Sequence, residues 1–335
     1  MVSIKDIAKA VGVSPSSVSI VLNGKAKEKR ISENLTARIE EAASEMGYYP
    51  NRVAVGLRTG KSKTIGLIVE NISNNFFSSL AKIIEDEARK FGYNIVYCST
   101  ENDASRGREE IQMLYNQQVD GYLITPTNGM EKAIENLLSQ NKPVVLMDRN
   151  MEGLPVPFVA IDNSSAMKKG IDFLIEAGHK QIGLVTVDLE LQQMKDRERA
   201  YKESLIAHQL KYNKANILKL KYENSASQSV ALISAFLRQR NKLTAVVFST
   251  NYLGIYGLRS IKQLQLNIPN DLAVLCFDDN EIFELHSPPI TVIEQPINEI
   301  ARTAVEILIG QLGHTKAVEQ TNILLQARLI IRKSV

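Results

Sequence analysis

Apolar positions recur at helical spacing over the first 47 residues, and the pattern then changes character. Ile4, Ile7, Ala8 and Val11 fall at i, i+3, i+4 and i+7, one face of a short helix, and Gly12 ends it. Ser14 is placed to cap a second helix, with Pro15 at the first helical position. Along that helix Val18, Val21 and Leu22 face the first helix, while Ser16, Ser17, Ser19 and Ile20 face outward. Ser32 can start a third helix carrying Leu35, Ile39, Ala42, Ala43 and Met46, which Gly47 closes. Two short helices joined by a glycine-containing turn fit a helix-turn-helix, and fit an ordinary helical hairpin equally well.

From Thr64 the chain alternates between strand-like and helix-like runs. TIGLIVE, YNIVYCS, GYLITP, PVVLMD, FVAID, IGLVTV, AVVFST and LAVLCFD are short, apolar and rich in β-branched residues, as in strands buried on both faces. Helical patterns such as SSLAKIIEDEARKFG lie between several of them, which predicts an α/β body with parallel sheets and right-handed crossovers. About 270 residues is long for one such sheet, so two lobes are expected.

Charge separates the same regions. Residues 1–63 hold 11 Lys or Arg against 6 Asp or Glu, and the remainder holds 29 against 31. A basic first fifth on a near-neutral body suits a nucleic-acid-binding head, though a solvated basic surface would look the same. Apolar runs stay short of the roughly 20 residues a bilayer demands, and no hydrophobic signal core opens the chain, so a cytoplasmic protein without a membrane partner is expected. Cys98 and Cys276 each lie in a strand-like run without a CxxC pair, which reads as two buried free thiols. No GxSxG, P-loop or HExxH is present and the four histidines are dispersed, so no catalytic residue, cofactor or metal is expected.

The segment IKDIAKAVGVSPSSVSIVLNG closely resembles the DNA-binding motif of the lactose-repressor family of bacterial transcription regulators. The resemblance implies that the second helix reads base edges through Pro15, Ser16 and Ile20, with Ser14, Ser17, Ser19 and Asn23 beside them. Ile20 stands where many members carry an arginine able to bond guanine, so the operator should differ from theirs. Residues 1–47 would form the head and 48–63 a hinge. By composition alone 48–63 is a flexible linker. The resemblance makes it a helix formed on DNA, with Asn51 and Ala54 in it and Leu57 wedged into the minor groove.

The likeness continues through the body, implying a periplasmic-binding-protein fold at 64–335. One lobe would take about 64–160 and 296–325, the other about 162–290, with a small effector bound between them at the carboxyl ends of the strands. Asn74, Phe76 and Phe77 follow the first strand, where the aromatics could stack on a ligand or simply belong to the core. Asp148 and Arg149 suit a clamp for vicinal hydroxyls, or else form a surface ion pair. Arg197 matches the family's ligand-contacting arginine, Asn251 matches an Asn-Asp pair in which Tyr252 replaces the acid, and Asp278 and Gln295 complete the set. A bacterial, nucleoid-associated homodimer on a pseudo-palindromic operator is implied, with a sugar effector favoured over a purine.

Overall fold

A computed structural model describes residues 2–48, 60–315 and 322–335, and the chain divides into two compact units, Met1–Ser62 and Lys63–Val335. The hinge residues Asn51, Ala54 and Leu57 lie outside the described residues.

The first unit holds α1 (Ile4–Val11), α2 (Pro15–Leu22) and α3 (Glu33–Glu45). Its core is small: Ile7, Val18 and Ile39 are fully buried, with Ala8, Val11, Val21 and Ala43 around them. Each helix begins on a serine cap, Ser3, Ser14 or Ser32, whose oxygen accepts a hydrogen bond from a first-turn amide. Ser3 and Asp6 form a reciprocal capping box. Gly12 turns the chain in the left-handed region at φ +76°, where a Cβ would cost roughly 1 kcal/mol or more.

The second unit is built on two sheets. Its first half runs β1 (Thr64–Val69), α4 (Asn75–Arg89), β2 (Asn94–Ser99), α5 (Ala104–Asn116), β3 (Gly121–Ile124), α6 (Glu131–Ser139), β4 (Val144–Met147) and β5 (Phe158–Ile161). Then follow α7 (Asn163–Glu176), β6 (Ile182–Val187), α8 (Gln192–Ala207), β7 (Ile217–Leu220), α9 (Ala226–Gln239), β8 (Ala245–Phe248), α10 (Asn251–Gln263), β9 (Ala273–Phe277), α11 (Glu281–Leu285) and β10 (Thr291–Glu294). Helix α12 (Ile297–Gln311) and two short strands, β11 (Asn322–Leu325) and β12 (Arg328–Ile330), complete it.

The first sheet has the order β11-β5-β4-β3-β1-β2, all parallel, and the second β12-β10-β9-β8-β6-β7, parallel except for β12. The two orders correspond strand for strand, so each lobe repeats one winding. One detail departs from the expected lobe limits. Strand β10 belongs wholly to the second sheet, beyond residue 290, because Thr291, Val292 and Ile293 pair with Leu275, Cys276 and Phe277. After β11 the chain returns to that sheet, where β12 lies antiparallel to β10 and Ser334 donates to the Val274 carbonyl at 2.6 Å. Cys98 and Cys276 are buried free thiols. No described helix is long and apolar enough to cross a membrane.

Candidate functional site

On the head, α2 carries no charged residue. Pro15 and Ser16 are exposed, and Ser17, Ser19 and Ile20 are half-buried. Ser14 is occupied by the helix start: its Oγ accepts from the Ser17 amide at 3.1 Å and lies 2.9 Å from Ser17 Oγ. The Asn23 amide folds back to the Ser19 carbonyl at 2.5 Å. The surface offered outward is therefore hydroxyl and aliphatic, and the surrounding cations, Lys5, Lys9, Lys25, Lys27 and Lys29, are exposed on neighbouring segments. Such a face suits thymine methyls and phosphates better than bidentate guanine contacts.

In the body, the carboxyl ends of both sets of strands meet at a small cavity of about 40 Å³. Its walls include Asn74, Phe76, Phe77, Asp148, Arg149, Arg197, Asp278 and Gln295, eight of the nine expected residues, drawn from both lobes. Asn251 lines the adjoining part of the cleft. It is buried, but its Nδ2 donates to Asn74 Oδ1 across the lobes at 2.9 Å and its Oδ1 accepts from the Tyr252 amide at 2.7 Å. It thereby ties the lobes together beside the cavity.

The repeat of winding accounts for the two acids. Asp148 follows β4 and Asp278 follows β9, at matching places in the two sheets. Both are left-handed at φ +66°, and each amide bonds the next strand, Asp148 to the Val159 carbonyl at 3.0 Å and Asp278 to that of Ile293 at 2.9 Å. Aspartate tolerates that conformation better than most side chains. The two carboxylates thus confront one another from opposite lobes.

Their partners differ. Four of the five N–H groups of Arg149 are taken by the protein: Nε donates to Asp148 at 3.2 Å, Nη1 to Asn102 at 2.9 Å and to the Pro126 carbonyl at 3.1 Å, and Nη2 to Glu70. Burial opposes its charge, but Glu70 and Asp148 outweigh that and raise its pKa above the ordinary arginine value. Arg149 is thus an internal counter-ion for two buried acids, and with Asp148 it also lines the cavity. Arg197 is held by Asn163 at 2.8 Å and by the Ser249 carbonyl at 2.6 Å, with its guanidinium 3.5 Å above the Phe277 ring. Its Nη2 has no hydrogen bond to a described residue and remains for a ligand. Asp278 accepts from Gln295 Nε2 at 2.6 Å. Burial pushes the Asp278 carboxyl up to about 6, while Arg197 and Gln295 restrain the rise.

Two amide oxygens of the cavity wall, Gln193 Oε1 and Gln295 Oε1, are buried without a hydrogen-bond partner. Such groups cost about 1–3 kcal/mol each until a donor reaches them. Phe76 and Phe77 line the cavity and also pack into the hydrophobic core of the body. Sequence reasoning missed Glu70 and Gln193, and Tyr252 was noticed only as a substitution. A signal existed for two of them: Glu70 ends β1 as Asp148 ends β4, and Gln193 lies one helical turn before Arg197 on α8.

Comparisons with known proteins agree with this division of labour. Residues 3–51 match the family model for bacterial regulatory proteins of the lacI family, and 171–335 match a periplasmic binding protein-like domain. The chain is 32% identical over 338 residues to the HTH-type transcriptional repressor PurR of Aliivibrio salmonicida, covering 100% of this chain and 99% of that protein. It is 30% identical to the ribose operon repressor of Haemophilus influenzae, again over 100% of this chain and 99% of the relative. The crystal structure of the lac repressor dimer bound to operator and the anti-inducer ONPF shares its fold at a TM-score of 0.86, with 24% identity over 99% of this chain and 98% of that one. With a helix-turn-helix head and a two-lobed body around a polar cavity, this chain belongs to the LacI family of bacterial regulatory proteins, DNA-binding transcription regulators that answer to a small effector.

Proposed function

We propose that the effector is a neutral sugar bound between the lobes, and that it controls a homodimeric repressor at a pseudo-palindromic operator on the nucleoid. The observation that carries the choice of ligand is the pair of buried, unpartnered acceptors, Gln193 Oε1 and Gln295 Oε1, beside an Asp278 carboxylate and the open Nη2 of Arg197. A polyol supplies several hydroxyls, each a donor and an acceptor that can rotate toward the three convergent oxygens, whereas a purine's N–H donors are fixed in the ring plane. Three acids, Glu70, Asp148 and Asp278, against two arginines line the cavity. That excess of negative charge disfavours acidic ligands.

On the DNA side, Pro15, Ser16, Ser19 and Ile20 read the major groove, and residues 48–63 act as the hinge with Leu57 as minor-groove wedge. Two heads on a two-fold axis supply the base contacts that one head of three short helices lacks. Ligand and operator are then coupled reciprocally through the lobes and hinge. A thermal-shift screen of the full chain against neutral sugars, sugar acids and nucleobases tests the reading. A neutral sugar at 100 times its Kd should add about 2.7 kcal/mol to the stability of the body. A response confined to nucleobases or sugar acids would overturn the assignment.

A further inference from the structure

We infer that Arg332, which lies outside the cavity, is a positioning residue for effector recognition: it neutralises Asp279 and clamps the turn after β9, so that Asp278 can present its carboxylate to the ligand. This rests on the reading of Asp278 as an effector acceptor.

Asp278 and Asp279 follow β9 as adjacent acids, and only Asp278 lines the cavity. Asp279 is gripped by Arg332 at two points: Nη1 donates to Oδ1 at 2.9 Å and Nη2 to Oδ2 at 2.6 Å. Two parallel bonds of this kind are the strong form of carboxylate binding. The Arg332 and Asp279 side chains are only 14% and 25% exposed, so salt screens the pair less than it would an open surface pair. The same Nη1 donates to the Ile290 carbonyl at 2.8 Å, just before β10, and the Arg332 amide donates to Thr291 Oγ1 at 3.0 Å. Two residues on, Ser334 is fully buried, its Oγ accepting from the Thr291 amide at 2.8 Å and donating to the Val274 carbonyl. One segment therefore joins β9 to β10 beside the turn in which Asp278 is left-handed. Strand β10 in turn leads into Gln295, whose Nε2 reaches Asp278 at 2.6 Å.

The charges around the pair give the clamp its consequence. Asp278 is faced by Arg197 of α8, by Asp148, Glu70 and Arg149 across the cleft, and by the buried Cys276 thiol on its own strand. Arg332 is faced by Asp279, by Glu284 of α11 and by Glu294 of β10. Removing Arg332 would leave an unneutralised carboxylate one residue from Asp278, and so hold the proton on Asp278 at higher pH.

Carbon-13 NMR of the full chain, labelled at its aspartate carboxyls and free of ligand, reads the Asp278 titration, with Asp278→Asn as the assignment. The wild-type midpoint should lie at about 6. Arg332→Gln should raise it to about 7, Arg332→Lys should leave it in place, and Arg332→Gln with Asp279→Asn should restore it. Asp279→Asn alone, which leaves Arg332 unopposed, should lower it, and this variant decides the matter even if Arg332→Gln does not fold. A residue that serves folding alone would change the melting temperature without moving the midpoint, and that result would overturn the inference. Calorimetry with glucose, galactose and ribose as probes adds the functional arm. A probe that binds the wild type should bind Arg332→Gln about fivefold more weakly at pH 6 and alike at pH 8. Equal weakening at both pH values would also refute the role. Failure of every probe, with the midpoints moving as expected, would count against the sugar reading and leave the hold of Arg332 on Asp278 standing.

Discussion

Replacing Arg149 separates a structural counter-ion from a ligand clamp. Its guanidinium is 3% exposed, and the side chains of Glu70 and Asp148 that it neutralises are 11% and 8% exposed. Arg149→Met keeps much of the volume but leaves two buried carboxylates unpaired, with Asp278 facing them from the other lobe. Breaking a buried pair from one side costs about 3–5 kcal/mol. For a body of this size that lowers Tm by about 10 °C, at roughly 2–4 °C per kcal/mol. Scanning calorimetry of the full chain at pH 7.5 measures it. Adding Glu70→Gln to Arg149→Met should recover about 2 kcal/mol, since the second change removes one stranded charge, and the non-additivity reports the pairing. A single mutant within about 1 kcal/mol of wild type that nonetheless loses the effector would show that Arg149 holds the ligand, and the reasoning would fail.

Other perturbations follow from the same geometry. Asp278, with its carboxyl pushed up to about 6, should accept a ligand hydroxyl far more strongly when ionised. Effector affinity measured by calorimetry should therefore fall about tenfold from pH 7 to pH 5, and Asp278→Asn should abolish that slope. Without ligand the sign reverses: the raised pKa stabilises the fold fully below the ordinary value of 3.8, and this contribution is lost as pH rises through about 6. Asn251→Ala removes the bond to Asn74 across the cleft. It should weaken effector binding by only about fivefold, the worth of one net hydrogen bond, and a thousandfold loss would place Asn251 on the ligand after all. In the head, Ile39→Ala should cost about 2–4 kcal/mol, enough to unfold so small a core and abolish operator binding while leaving the melting of the body unchanged.

The elements that organise this molecule were legible where local physics decides them. The serine caps at Ser14 and Ser32, the turn at Gly12 and the apolar stripe through Ile7, Val18 and Ile39 are set by neighbours in sequence, and the head follows from them. Strands buried on both faces announce themselves as unbroken apolar runs, which made β1, β3, β4, β6, β8 and β9 plain. Strand β7, with Lys219 exposed in its centre, and the brief β12 escaped because charged residues interrupt their short apolar runs. Eight of the expected effector residues meet at one cavity because strand ends in parallel sheets converge there. What the sequence withheld was pairing across the lobes. Nothing local to Asp148-Arg149 reveals that Glu70 and Asn102 would occupy the guanidinium, or that Asn251 would spend its amide on Asn74.

The coupling of the cavity to operator affinity is the central claim, and fluorescence anisotropy with a labelled operator tests it most directly. The wild-type chain and Arg197→Ala should bind the operator alike without effector, with affinity falling steeply as salt rises because the head neutralises phosphates. On addition of the sugar identified by thermal shift, the wild-type operator affinity should change by roughly 5- to 150-fold, and that of Arg197→Ala should not. An equal response from both proteins, or none from the wild type with the cavity saturated, would contradict the account.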